Sequence, residues 1–171
     1  MSLNSEDIYH TRLEQGLAIA WVNSYSAVVV KTPGATLLFD PVSVAVPEDA
    51  HIDAIAITHE HSDHWDPHLV TELQRRTGAL IVTTPYLAFR LAALLCKGSQ
   101  PSPPAPLPAG EESQVSFPFK PLQPGDSLTI SDVRLTALRC DHAARQTLAF
   151  LAQTSERLLY TCPATVRHFR K

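Results

Sequence analysis

The chain has 171 residues, 44% of them apolar and 18% charged, with a formal net charge of −3. That length suits one domain with a sizeable core. The composition excludes a disordered chain, and the charge excludes a surface built to coat nucleic acid.

Cys96, Cys140 and Cys162 are few, odd in number and far apart, as expected of free thiols in a reducing compartment. Residues 1–7 are polar and acidic, unlike a signal peptide. The longest apolar run, residues 87–96, is short and carries Arg90, so no membrane span is expected and a cytoplasmic location is the default.

Residues 5–15 read as a short helix or an irregular lead-in, closed by Gly16. Residues 17–22 and 27–30 are rich in β-branched and aromatic side chains and read as strands. Thr32-Pro33-Gly34 makes a turn, and residues 36–39 return as a strand that ends in Asp40-Pro41. Residues 54–57, Ala-Ile-Ala-Ile, read as a buried strand. Asp66-Pro67 then offers an aspartate N-cap and a proline at the first helical position. The helix should run over 67–76 with Leu69, Val70 and Leu73 inward, stopping near Gly78. Residues 79–83 form the next strand, and 85–95 an apolar helix ending at Lys97-Gly98.

Residues 99–110 are proline-rich and low in complexity, and read as a stiff, exposed insertion that cannot join a sheet. A turn at 121–126 leads into strands at 127–130 and 133–138, followed by 147–152 and 158–160. The alternation of strands and helices predicts an α/β (α+β) domain spanning the chain.

The chemistry concentrates between the strand at 54–57 and the helix at 67. Thr58-His59-Glu60-His61-Ser62-Asp63-His64 places His59, His61, Asp63 and His64 within six residues. In extended backbone, residues two apart leave on the same side, so His59 and His61 can share one ion. Asp63 and His64 stand where the chain begins to coil and can face a second ion beside the first. Imidazole with carboxylate, and no thiolate nearby, suits zinc, manganese or iron rather than calcium. His10, His51 and His68 have no such context and read as surface residues.

His-x-His-x-Asp-His resembles the signature of the metallo-β-lactamase superfamily. The resemblance implies an αββα sandwich with one or two metal ions at the sheet edges, usually Zn2+ with Mn2+ or Fe2+ as alternatives. It also implies hydrolysis by a metal-activated water. The strand hairpin ending in Asp40-Pro41 is similar to the branch containing the L-ascorbate-6-phosphate lactonase-like hydrolases. A Gly-His pair found early in that branch stands here as Val22-Asn23. Asp40 has two readings, a carboxylate orienting a histidine ligand or a turn-forming aspartate. In the superfamily a third histidine arrives at the end of a later strand, where this chain has Arg139-Cys140-Asp141-His142. The resemblance therefore implies His59, His61 and His142 on the first ion, Asp63 and His64 on the second, and Asp63 orienting the attacking water. Asp141 could orient a ligand, and Cys140 reads as a small core residue.

The pattern breaks after Tyr160. Relatives carry a Gly-Asp whose carboxylate bridges the metals, where this chain reads Thr161-Cys162-Pro163-Ala164-Thr165 and a basic end. Either Cys162 substitutes as a ligand, or a frame change produced an aberrant, disordered tail over 161–171 and left the second half of the sandwich incomplete. Codons such as ACC TGC CCG GCG ACA hold CTG CCC GGC GAC, or Leu-Pro-Gly-Asp, in a shifted frame.

The expected function is hydrolysis of a small-molecule ester, lactone or phosphoester, with a non-catalytic metal-binding remnant as the alternative. No nucleic-acid or membrane partner is expected, and an uncovered apolar face could drive homo-oligomer formation. The gene beyond Tyr160 should hold, in the shifted frame, a long coding stretch with a further histidine. Its nucleotide sequence checks this, and a stop codon soon after the shift would rule the frame change out.

Overall fold

The computed structural model describes residues 7–96, 118–162 and 165–170. The proline-rich stretch at 99–110 and the expected helix stop at Lys97-Gly98 lie outside the described residues. After a short helix α1 (Asp7–His10), the chain forms β1 (Ala18–Trp21), β2 (Val28–Lys31), β3 (Thr36–Phe39) and β4 (Ala54–Ala56). Helix α2 (Pro67–Thr77), β5 (Leu80–Thr83), α3 (Pro85–Cys96) and β6 (Phe119–Pro121) follow. These strands make one six-stranded sheet in the order β1-β2-β3-β4-β5-β6, antiparallel as far as β3 and parallel from there on. A second, five-stranded antiparallel sheet contains β7 (Ser127–Ile130), β8 (Val133–Arg139), β9 (Leu148–Gln153), β10 (Arg157–Cys162) and β11 (Thr165–Arg170).

Apolar runs in β2 and β3 are buried on both faces, as strands covered on two sides must be. Val28, Val30, Leu37 and Phe39 point to the second sheet and meet Leu135, Ala137, Leu148 and Phe150. Their neighbours Val29 and Leu38, with Ile55 and Ile81, point the other way, onto Ile8, Val70, Leu73, Leu87 and Leu91 of the helices. The layers are thus helices, sheet, sheet. Among the described residues no helix lies on the outer face of the second sheet, and none is long and apolar enough to cross a membrane.

Helix α2 starts as its sequence dictates: Asp66 Oδ1 accepts from His68 N at 2.9 Å and from Leu69 N at 3.2 Å. It ends at Gly78, whose φ of 72° is cheap only for a residue without Cβ. Two strands go beyond the sequence reading. β6 falls partly on the expected turn at 121–126, and Pro121 is tolerated because β6 is an edge strand. Residues expected to form a disordered tail instead run as β11, with Thr165 opposite Cys162 and Arg170 opposite Arg157. The open edge of β10, with its unpaired N–H and C=O groups, is the template for that pairing.

The sheets are tied at one end. Leu148 N donates to Thr58 O at 3.0 Å, joining the start of β9 to the loop leaving β4. Phe39 and Phe150 meet across the interface with ring centres 6.1 Å apart, tilted by 55°. Phe150→Ala should lower unfolding free energy by about 3–5 kcal/mol, because a fully buried ring leaves a cavity. Urea denaturation of both proteins measures this, and a loss under about 1 kcal/mol would contradict the packing described.

Candidate metal centre

The loop after β4 is held at both ends before any ligand is considered. Ile57 N bonds Val82 O at 2.9 Å, and His64 N and Trp65 N both donate to His61 O at 2.9 Å. The first bond carries the pairing of β4 with β5 one residue past Ala56, and the other two coil the chain at Asp63 and His64. From the second sheet, β8 ends at Arg139 and the chain turns tightly, Ala144 N bonding His142 O at 2.8 Å. Glu60 braces the two loops together, its Oε1 accepting from Arg145 N at 2.7 Å.

His59, His61 and His142 converge, with one nitrogen of each ring lying within 4.8 Å of those of the others. The ring centres are 4.6 Å apart for His59 and His61, 4.7 Å for His59 and His142, and 5.1 Å for His61 and His142. His61 Nδ1 and His142 Nε2 stand 3.3 Å apart. Ligand nitrogens about 2.0–2.1 Å from one zinc ion stand at such separations.

The test of fit is His59, whose residue is fully buried and whose Nε2 has no hydrogen-bond partner. A buried polar atom without a partner is costly unless something else satisfies it, and a cation among the three rings would do so. Burial, and then the neighbouring His64, His61 and His142, push the His59 pKa down to about 4. At neutral pH it therefore carries the lone pair that a ligand needs.

A second pair stands beside these. His64 Nε2 lies 3.8 Å from Asp63 Oδ2, and the His64 ring centre lies 4.3 Å from that of His59. Behind both histidines sits Asp40. Its Oδ1 accepts from Thr58 N at 2.7 Å, and its Oδ2 from Thr58 Oγ1 at 2.8 Å and His64 Nδ1 at 2.9 Å. Thr58 Oγ1 also lies 2.9 Å from His59 Nδ1. When the Thr58 hydroxyl donates to Asp40, it accepts from His59 Nδ1–H. One carboxylate then fixes both tautomers and leaves Nε2 of His59 and of His64 bare. Burial pushes the Asp40 carboxyl up, against the hydrogen bonds from His64 and Thr58. Burial is the largest single influence on His64 and lowers it, but the hydrogen bond to Asp40 and the negative charges of Asp40 and Asp63 together outweigh it and the net shift is upward.

Of the residues singled out from sequence, His59, His61, Asp63, His64, His142 and Asp40 come together. Asp40 also makes a turn, at a φ of 44° that aspartate tolerates better than most residues. Asp141 does not join them: it lies beyond the end of β8, and its exposed carboxylate is 3.4 Å from Arg139 Nε. Cys140 is half-buried, and the side chain of Cys162 lies outside the described residues. His10, His51 and His68 are exposed. Asn23 accepts from Tyr25 N and Ala27 N at 3.0 Å each and donates to Val42 O, shaping its own hairpin.

Three supporting residues escaped the sequence reading. Thr58 and Glu60 could have been found as polar side chains adjoining ligands on a buried loop. Ser26, which donates to the carbonyl oxygen of Asp63, had no local signal, because its partner is far away in the chain.

The family model for the beta-lactamase superfamily domain matches residues 18–155. The chain belongs to this superfamily. Its fold is shared by Igni18, a metallo hydrolase from the hyperthermophilic archaeon Ignicoccus hospitalis, at a TM-score of 0.62 and 16% identity, over 86% of this chain and 60% of that one. CmlA, a diiron beta-hydroxylase from Streptomyces venezuelae, matches at a TM-score of 0.63 and 17% identity, over 90% and 30%. The Rm3 metallo-beta-lactamase matches at 0.56 and 21% identity, over 87% and 58%. The chain thus spans no more than 60% of the length of these structures. No curated protein matches it.

The arrangement predicts that Asp40→Asn weakens metal binding about 10–100-fold, the usual effect of losing a partner that orients a ligand. Cobalt(II) titration of both proteins, followed by absorbance, measures this. Equal affinities would show that Asp40 only shapes the turn.

Proposed function

We propose that the chain is a metal-dependent hydrolase acting on a small-molecule ester, lactone or phosphoester. The observation carrying this reading is the convergence of His59, His61 and His142 from two sheets around the unpartnered Nε2 of His59. A divalent ion held there, zinc or else manganese or iron, would lower the pKa of a coordinated water to about 7 and act as a Lewis acid.

The chain's own residues supply the rest. Asp63, with its side chain 60% exposed beside His64, can accept a hydrogen bond from an attacking water and orient it. Asp40 and Thr58 hold the imidazoles in place, so the site need not reorganise as charge develops. The hairpin ending in Asp40-Pro41 supports a substrate like those of the lactonase-like branch, a lactone or a phosphate ester. Asn23 argues against the same substrate.

A second reading is a metal-binding remnant without catalysis. It is favoured by the sequence at 161–165, which has no aspartate to bridge two ions. Purified protein should hold one equivalent of zinc tightly and a second weakly. It should hydrolyse 4-nitrophenyl acetate, a γ-lactone or bis(4-nitrophenyl) phosphate, with the activity lost to chelator. His142→Ala should reduce the rate by more than the roughly 100-fold that loss of an outer partner can cause. Tight zinc binding with no turnover of any of the three would favour the remnant.

A further inference from the structure

Two arginines flank the histidine cluster, and nothing in the metal chemistry uses them. Arg145 stands three residues beyond His142, with its backbone N–H fastened to Glu60 between His59 and His61. Its guanidinium carbon lies 5.4 Å from the centre of the Tyr86 ring. Arg90, from α3, approaches the same ring at 5.9 Å and stacks on Trp65 at 4.9 Å. Trp65 directly follows His64. Tyr86 is pinned in turn, its N–H donating to Gln146 Oε1 at 3.0 Å, and Gln146 follows Arg145. Both guanidiniums are therefore indexed to the loops that carry the histidines.

An aromatic face holds a guanidinium by its plane and leaves the N–H edge outward, the edge that grips a carboxylate or phosphate in two-pronged fashion. In most proteins such an edge meets a protein carboxylate. The acid bonded nearest here, Glu60, gives its Oε1 to the backbone of Arg145 and not to the guanidinium. Among the described residues neither Arg90 nor Arg145 has an ion-pair partner, and both are exposed. The guanidinium carbons lie 5.9 and 5.4 Å from one ring centre, so the two like charges repel each other and a bound anion would offset that repulsion.

We propose that Arg90 and Arg145, held on Tyr86 beside the histidine cluster, bind an anionic group of the ligand, a carboxylate or a phosphate, away from the bond to be cleaved. Calling that ligand a substrate rests on the hydrolase reading, but the anion site itself does not.

The 171-residue protein, stripped with chelator and dialysed so that no metal binds the probe, is titrated with phenyl phosphate and with benzoate by calorimetry. Saturable binding of one or both is expected, weakened about tenfold by Arg145→Gln and by Arg90→Gln, as befits loss of a hydrogen bond to a charged group. The tighter probe identifies the group. Circular dichroism melts establish that the variants fold, and Arg145→Lys should restore part of the affinity while losing the two-pronged grip. No saturable binding, or binding indifferent to both substitutions, overturns the proposal. Binding that follows the arginines in a protein that turns over no ester would leave this site standing and remove only the hydrolase reading.

Discussion

The buried carboxylate of Asp40 organises the site. It accepts from the backbone and hydroxyl of Thr58 and from His64, at 2.7, 2.8 and 2.9 Å, while itself 5% exposed. A carboxylate in such a place is costly unless its oxygens are hydrogen-bonded. Each bond that offsets the cost also orients something: Thr58 N sets the start of the ligand loop, Thr58 Oγ1 faces His59, and His64 Nδ1 turns its other nitrogen outward. Backbone geometry serves the same end. The positive φ at Asp40 and the bond from its N–H to Ala56 O at 2.9 Å place the carboxylate under the loop.

Around that anchor the scaffold contributes position rather than chemistry. Parallel strands β4 and β5 end at a common edge, where irregular chain can carry functional side chains on rigid supports. The second sheet brings His142 to this edge, and the Leu148–Thr58 and Arg145–Glu60 bonds fix how closely it approaches. The same fold serves hydrolysis in Igni18 and hydroxylation in CmlA, so reaction type must be argued from the donors and their surroundings.

Much of this was legible from residue order. The His59–His64 motif, the Asp66-Pro67 helix start and the alternating strands are local patterns, set by side-chain spacing and capping chemistry. Where the reading fell short, the determinant was distant. Asp141 adjoins a ligand in sequence, yet the chain has left the sheet by then and its carboxylate pairs with Arg139. β6 is too short and proline-bearing to announce itself; an unfilled sheet edge makes it a strand. Ser26, Glu60 and the stacked arginines act through partners in other loops, and no window of sequence shows them.

Three imidazoles drawn from two sheets make the distance between those sheets a gauge of the site. Phe39, Phe150 and their neighbours set that gauge from the interior. An ion gripping all three rings would clasp the layers as well as ready the chemistry, and its binding energy would add to the resistance of the whole domain to unfolding. Ligand affinity and interior packing are then two ends of one thermodynamic lever.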